Sequence, residues 1–577
     1  MKDRFTGPMY YRLWWPAMLS SVGWALSDMA DAVVVGQRLG ATGLAAISLI
    51  LPVYMINCMM AHGLGLGGSI QFSTLLSKGQ EKRARAVFMS ILFGAFLFSI
   101  STAVLGNLFI RPLLGMLGTV KEDGELFTST KDYLQILLWA TPLFYLSNIL
   151  NYFLRNDSKQ KIAGIGSVVG NVSDITLNIF LVLVMNMGTR GAALSTAIGQ
   201  IITIIIYVGG LWRQEHHLQP ALPEKGSLKT VYSCMREGLA TSVQYLYQMI
   251  FFLICNNVLI RLSGETGVAV FDLVQNTSYL ILYLYEGTAR AMQPILSTYH
   301  GEHNYQGRKN AVRLGFLSGI LTGSLFIGLV AFFPRSFCLL FGIQEAALQT
   351  VAVSALRIYC LGAFFAGISI LVCNYYQSCE KLKAPFLIET MRGFAVLIPC
   401  TLLFSNFGLE NFWWLFPITE IGTVVLFLLW KRIRNYRVEE EGVERVYQYT
   451  IEGGITDLTE LCEGLERFCE QWEASVTQQY FVVMAAEELG LAILTHGLYE
   501  EAEGYIQVTV VATEEGKFKL HLRDNALKFN PFSMETQRLD AEEGVNLDAM
   551  GILVLKEKAE EFYYQRYQGF NSLVVTI

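Results

Sequence analysis

The 577-residue sequence predicts a polytopic α-helical membrane protein. Twelve spans form two six-helix parallel repeats, and a soluble α/β sandwich domain follows them. Three observations carry this reading. Residues are 53% hydrophobic and only 16% charged, against about 25% charged in globular domains, and apolar runs of spanning length recur. The runs match one another at a steady offset. After Arg437 the composition turns acidic and amphipathic, with no spanning run.

The runs fall at 9–36, 47–75, 87–110, 132–154, 162–186, 192–212, 238–262, 268–297, 311–333, 351–377, 385–406 and 411–432. The N-terminal stretch is basic and then apolar, too long for a signal-peptide core and without a small-residue cleavage site, so it reads as a retained first span. Lysine and arginine crowd one set of connections: Lys82, Arg83 and Arg85; Arg155, Lys159 and Lys161; Arg308, Lys309 and Arg313; Lys381 and Lys383. That side is expected to be cytoplasmic. An even span count places both ends of the membrane region there, in a cell (plasma) membrane. Ten scattered cysteines make no CxxC pair, so neither a disulfide framework nor a zinc site is indicated. A net charge of −6 without a basic run argues against a nucleic-acid partner.

Gly63 and Gly287 match at an offset of 224, as do Gly43–Leu44–Ala45 with Gly267–Val268–Ala269 and Ser73–Thr74 with Ser297–Thr298. The expected domains are a first lobe (1–213), a cytoplasmic linker (214–236), a second lobe (237–437) and a soluble domain (438–577). In transporters built from such repeats the substrate site lies between the halves, near the bilayer midplane. In the soluble domain, Asp457–Ala474 and Gln478–Leu494 read as helices. Tyr505–Ala512, Lys517–Arg523 and Phe562–Arg566 alternate as strands do.

Asp28 and Asp31 interrupt the first apolar run, three residues apart on one helix face. A carboxylate at membrane depth costs roughly 2.5–3.5 kcal/mol on insertion scales, which makes it a candidate for function. Asp174 and Asn178 share a face of the fifth span, and Thr196 lies on the sixth. The alternative for the fifth-span pair is a polar clamp that only fastens helices together. The second half carries Asp272, Glu286, Arg290, Glu389 and Arg392 in its runs, with Cys255 at the position equivalent to Asp31. Glu286/Arg290 and Glu389/Arg392 are spaced for internal pairing, and are expected to be structural pairs rather than a second ion site. A bend at Pro16 or Gly23 is expected to let the first span repack.

Several stretches resemble the MATE (multidrug and toxin extrusion) family. They are Asp31–Val53, Gly63–Thr74, Asp174–Val182, Gly188–Gln200, Glu286–Glu302 and Met391–Pro399. The resemblance implies export of organic cations, including drugs, in exchange for H⁺ or Na⁺. It places the cation-coupling site on Asp31, Asp174, Asn178 and Thr196, with Asp31, Asp174 and Asn178 as Na⁺ ligands. The fifth-span Asp and Asn stand in the reverse of the family's order. All of these groups present hard oxygen atoms apt for Na⁺ or a proton.

The tail resembles the GHKL ATPases, nearest the anti-sigma-factor serine kinases, through Ala485–Gly497, Leu522–Phe532 and Met550–Leu573. The resemblance maps a nucleotide site onto Glu488, His496, Asp524 and Gly551. Ala492 stands where the family's Mg²⁺-binding Asn belongs, and the Gly-x-Gly loop is reduced to Ala549–Met550–Gly551. Phosphoryl transfer then lacks its electrostatic support. The expectation is a transporter without a bound cofactor, its tail a non-catalytic ATPase-like regulator open to a cytoplasmic partner protein. The alternatives are a lipid-linked or polysaccharide flippase of the same superfamily, and a membrane-tethered serine kinase.

Overall fold

The computed structural model describes residues 6–577, except 78–80, 120–123, 158, 213–217, 219–226, 302–303, 380, 382, 437–444, 453–454, 499–503, 514–515, 527–528, 534–546 and 568–569. The side chains of Asp28 and of Ala549–Met550 and most of the linker also lie outside the described residues, so expectations placed on them have no structural counterpart.

The first lobe comprises α1 (Thr6–Ser77), α2 (Glu81–Leu108), the short α3 (Ile110–Leu117), α4 (Glu125–Asn156), α5 (Gln160–Asn178) and α6 (Gly188–Trp212). The second comprises α7 (Ser227–Ser263), α8 (Glu265–Gly301), α9 (Tyr305–Phe332), α10 (Pro334–Leu340), α11 (Ala346–Ser378), α12 (Lys383–Thr390), α13 (Leu397–Phe404), α14 (Gly408–Phe412) and α15 (Leu415–Ile433). Among the described residues, ten helical segments are long and apolar enough to cross a membrane. Helix α1 is two spans run together: its backbone leaves helical geometry only at Gly40, with φ 60° and ψ −140°. That conformation is open to glycine and costly for other residues. With α1 counted twice and α15 added, the spans are the expected twelve. The bend itself differs from expectation. The helix runs unbroken through Pro16 and Gly23, and the break falls at Gly40, between spans one and two.

A π-helical turn follows α5 at Ile179–Val184, and a second, Met391–Ala395, joins α12 to α13. Both occupy the fifth span of their lobe, so the repeat extends to a backbone irregularity. Such turns widen a helix locally and re-aim the side chains around them.

The lobes touch through small residues. A Cβ on Gly238 would lie 2.0 Å from the Gly63 carbonyl oxygen, and one on Gly342 would lie 1.9 Å from that of Gly36. The first contact lies toward the expected cytoplasmic side, the second toward the external side. Ser48 donates to Asn256 Oδ1 (3.2 Å), and Asn256 Nδ2 donates back to the Ser48 carbonyl (2.7 Å). A large core built on α1, α8 and α11 spans both lobes.

The tail is one antiparallel sheet in the order β1 (Val446–Ile451), β2 (Ile506–Ala512), β3 (Phe518–Asp524), β5 (Phe570–Thr576), β4 (Glu561–Tyr567). Helices α16 (Ile455–Gln471), α17 (Val476–Ala492) and α18 (Leu547–Lys558) bury their apolar faces against Val508, Val510, Leu520, Leu522, Leu573 and Val575. Strands β1 and β5 were absent from the expected set. β1 is short and only partly buried, and β5 carries polar residues, Asn571 and Ser572, directly after its first residue.

Candidate cation site and its setting

Asp31, midway through the first lobe's core, collects partners from three other helices. Asn178 Nδ2 of α5 donates to one of its oxygens. The hydroxyls of Thr196 (α6) and Tyr133 (α4) each reach the other at 3.5 Å. Asp174, one helical turn before Asn178, neighbours Asp31, Ser195 and Thr196. The helices approach closely at this point because α6 contributes a glycine: a Cβ on Gly199 would meet Asp174 Cβ at 3.0 Å. The structure thus brings together all four residues assigned from the resemblance, and adds Tyr133. An isolated tyrosine near the start of a span gives no sequence signal of its own.

Two oxygens in this pocket, Asp174 Oδ1 and Asn178 Oδ1, are buried without a hydrogen-bond donor. The described groups that act most strongly on Asp31 are Asp174, Asn178, Thr196 and Tyr133, none of them basic. Two carboxylates confined at low dielectric repel strongly unless a positive charge enters. Carboxylate, amide and hydroxyl groups gathered in one pocket suit a small hard cation or a proton.

The equivalent place in the second lobe is filled differently. Cys255, 224 residues after Asp31, is buried. Glu420, 224 residues after Thr196, pairs with Arg392 at 2.7 Å. Arg392 sits in the second π-helical turn. This corrects the expected Glu389/Arg392 pair: Arg392 bonds across to α15, not to its own helix. The second lobe therefore carries a tethered cation, Arg392, where the first gathers two acids. Glu286 and Arg290 do pair as their spacing predicts, at 2.8 Å. Asp272 is fully enclosed in α8 and accepts from Asn276 Nδ2 at 3.1 Å.

In the tail, Asp524 is buried at the end of β3 and accepts from Asn571 Nδ2 (2.7 Å) and the Ala526 amide (3.0 Å). The Glu488 carboxylate lies where a Cβ on Gly551 would stand, 2.3 Å away, so this glycine allows α17 and α18 to close together. His496 is exposed, with its ring 6.1 Å from that of Phe529. The four mapped residues thus split into a buried strand carboxylate, a close contact between two helices and a surface histidine.

The tail sits on the membrane region. Phe570 joins a cluster with Met9, Tyr10 and Leu13 of α1 and Ile295, Leu296 and Tyr299 of α8. The Arg12 guanidinium stacks over Phe570 at 5.3 Å, and that of Arg523 over Tyr299 at 5.2 Å. Arg523 is buried in this joint.

Fold and site together define a helical membrane transporter of two repeated bundles with an ATPase-like soluble domain. The chain belongs to the MatE family, whose model matches residues 16–180 and 240–401. Residues 453–577 match the histidine kinase-like ATPase domain. The chain is 23% identical over 411 residues to the probable multidrug resistance protein YoeA of Bacillus subtilis, covering 68% of this chain and 85% of that one. It is 21% identical to the multidrug export protein MepA of Staphylococcus saprophyticus, covering 75% and 96%. Among solved structures, the MATE multidrug transporter DinF-BH, in complex with a small molecule, is similar with TM-score 0.59 and 26% identity, over 76% of this chain and 98% of that one. An inward-facing multidrug resistance MATE family transporter shares the fold, with TM-score 0.63 and 22% identity over 71% and 94%.

Proposed function

We propose that this protein is a secondary antiporter that exports organic cations, drugs among them, across the cell membrane in exchange for H⁺ or Na⁺. The supporting observation is the Asp31 pocket, with two carboxylates, two donorless oxygens and, among the described residues that act on Asp31, no basic group. Its two acids make its conformation depend on whether a cation is present, and alternating access needs that dependence. The names of the relatives, a multidrug export protein and a multidrug transporter, agree with this substrate class.

The ATPase-like domain regulates, in this reading, without turning over ATP. It rests at once on α1 of the first lobe and α8 of the second, so separating the lobes at their cytoplasmic ends must disturb it. Both ends of the membrane region then lie in the cytoplasm. The test is uptake of a fluorescent organic cation into inverted vesicles under a Na⁺ gradient or a pH gradient. Uptake driven by one gradient and lost in Asp31→Asn supports the proposal. Undiminished gradient-driven uptake by Asp31→Asn rejects the site.

A further inference from the structure

Helix α8 is mostly enclosed, yet one face stays open. The partly or fully exposed positions from 275 to 293 are Gln275, Tyr279, Tyr283, Glu286, Arg290 and Gln293, with Leu282 beside them. Their spacing of four, four, three, four and three residues is one helical stripe. Lipid would select apolar side chains along such a stripe. Charged groups at membrane depth face the bundle interior or water. Glu286 and Arg290 keep 40% and 48% of their side chains accessible. The stripe therefore lines an aqueous path.

The matching stripe of the first lobe has another chemistry. Met59, His62 and Leu66 of α1 are partly exposed, and each lies 224 residues before Tyr283, Glu286 and Arg290. His62 stands at the seam between the lobes: Nδ1 bonds Tyr152 Oη of the first lobe at 2.8 Å, and the ring stacks on Tyr245 of the second at 5.0 Å. The symmetry axis that equates these positions runs between the lobes. The second-lobe wall is thus polar and charged, while the first-lobe wall offers sulfur, aliphatic carbon and a ring that other rings already hold.

The pair on the polar wall is closed on itself. Arg290 Nη2 donates to Glu286 Oε2 at 2.8 Å. The other charges near Glu286 act in opposite directions, Arg392 attracting and Glu389 repelling, and Arg392 is held by Glu420. A ligand with a lone positive charge would take Glu286 and set that charge beside Arg290, a like-charge juxtaposition that disfavours it. A ligand carrying a cationic and an anionic group within one head can replace both partners, exchanging one ion pair for two charge-assisted contacts. Its apolar body would lie toward Met59 and Leu66, and methionine adapts to varied shapes.

We infer that the α8 stripe is the substrate-head site of this transporter, and that Glu286 with Arg290 selects zwitterionic amphiphiles over monocations of the same scaffold. The inference rests on the antiporter reading above. It is tested with a fluoroquinolone zwitterion and its methyl ester, which is a monocation, supplied to vesicles of the full-length protein. Wild type should move the zwitterion about tenfold faster than the ester at equal concentration. Arg290→Gln should bring the two rates together by lowering the zwitterion's rate alone. Arg290→Lys, and the exchange Glu286→Arg with Arg290→Glu, should keep the preference and also show that the fold survives. Equal rates for both compounds in wild type, or equal loss of both in Arg290→Gln, would overturn the inference and leave the antiporter standing. Gradient-driven movement of neither compound nor of a simple organic cation would overturn both.

Discussion

Gly63 and Gly287 occupy equivalent places in the two lobes and meet equivalent neighbours across the seam. A Cβ on Gly63 would lie 2.9 Å from Met235 Sδ and 3.0 Å from Ser242 Oγ; one on Gly287 would lie 2.9 Å from Met18 Sδ and 3.0 Å from Ser21 Oγ. The offset read from sequence is thus a physical twofold in which each lobe presses bare backbone against a methionine and a serine of the other. A thioether can move aside, but a peptide carbonyl cannot.

That difference orders a set of variants. Gly238→Ala places its methyl against the Gly63 carbonyl and cannot be accommodated without parting the lobes at the end expected to be cytoplasmic. Gly287→Ala meets a flexible methionine. Gly238→Ala is expected to shift the population toward an inward-open state and to slow transport about tenfold, with Gly287→Ala changing it much less. Spin-label distances across the cytoplasmic seam measure the shift directly. Equal distances in both variants would contradict it.

For the cation pocket, Asp31→Asn is expected to abolish gradient-driven export while leaving substrate exchange down its own gradient. Removing Asn178 as Asn178→Ala takes away a donor to Asp31 and should weaken ion dependence without removing it. The expected signature is an ion concentration for half-maximal transport raised about tenfold, as the loss of one charge-assisted hydrogen bond implies.

In the second lobe, Glu420→Gln leaves the Arg392 guanidinium largely buried without its counter-charge. It should destabilise the protein by about 3–5 kcal/mol, whereas replacing both residues by apolar ones of similar volume should recover most of that. Thermal unfolding in detergent distinguishes the two. A double variant no more stable than the single one would show that the pair has a role beyond its own charge balance.

The tail contact gives a further expectation. Phe570→Ala removes the ring under Arg12 and an apolar contact to α1, and Arg523→Ala removes the cation over Tyr299. Cation–π contacts contribute about 0.5–2 kcal/mol each. Both variants should loosen the tail and alter transport rate while leaving ion dependence unchanged. Protease accessibility of the tail, compared with vesicle flux, checks this. Looser tails with unaltered flux would refute the regulatory reading.

The sequence exposed the architecture because lipid imposes long apolar runs and because the repeat left matched glycines at its seams. The four cation-pocket residues were legible through the family's motifs. Tyr133 was not, since its role depends on where α4 passes Asp31, which spacing along one helix cannot reveal. Arg392 misled for the same reason. Its in-helix neighbour Glu389 was visible at three residues' distance, while its actual partner Glu420 comes from another helix. Proline and glycine at 16 and 23 suggested a bend, yet packing against α8 keeps α1 helical there, with Trp14 donating to Thr288 at 3.2 Å.

Met9, Tyr10 and Leu13 pack into one cluster with α8 and Phe570 of the tail, and Thr6 Oγ1 is bonded to Tyr299 Oη at 2.9 Å. A bulkier side chain at Thr6, as in Thr6→Leu, would therefore crowd a working joint. Thr6→Val, which removes the hydroxyl at nearly constant volume, should change turnover on its own and so probes the joint through a single atom.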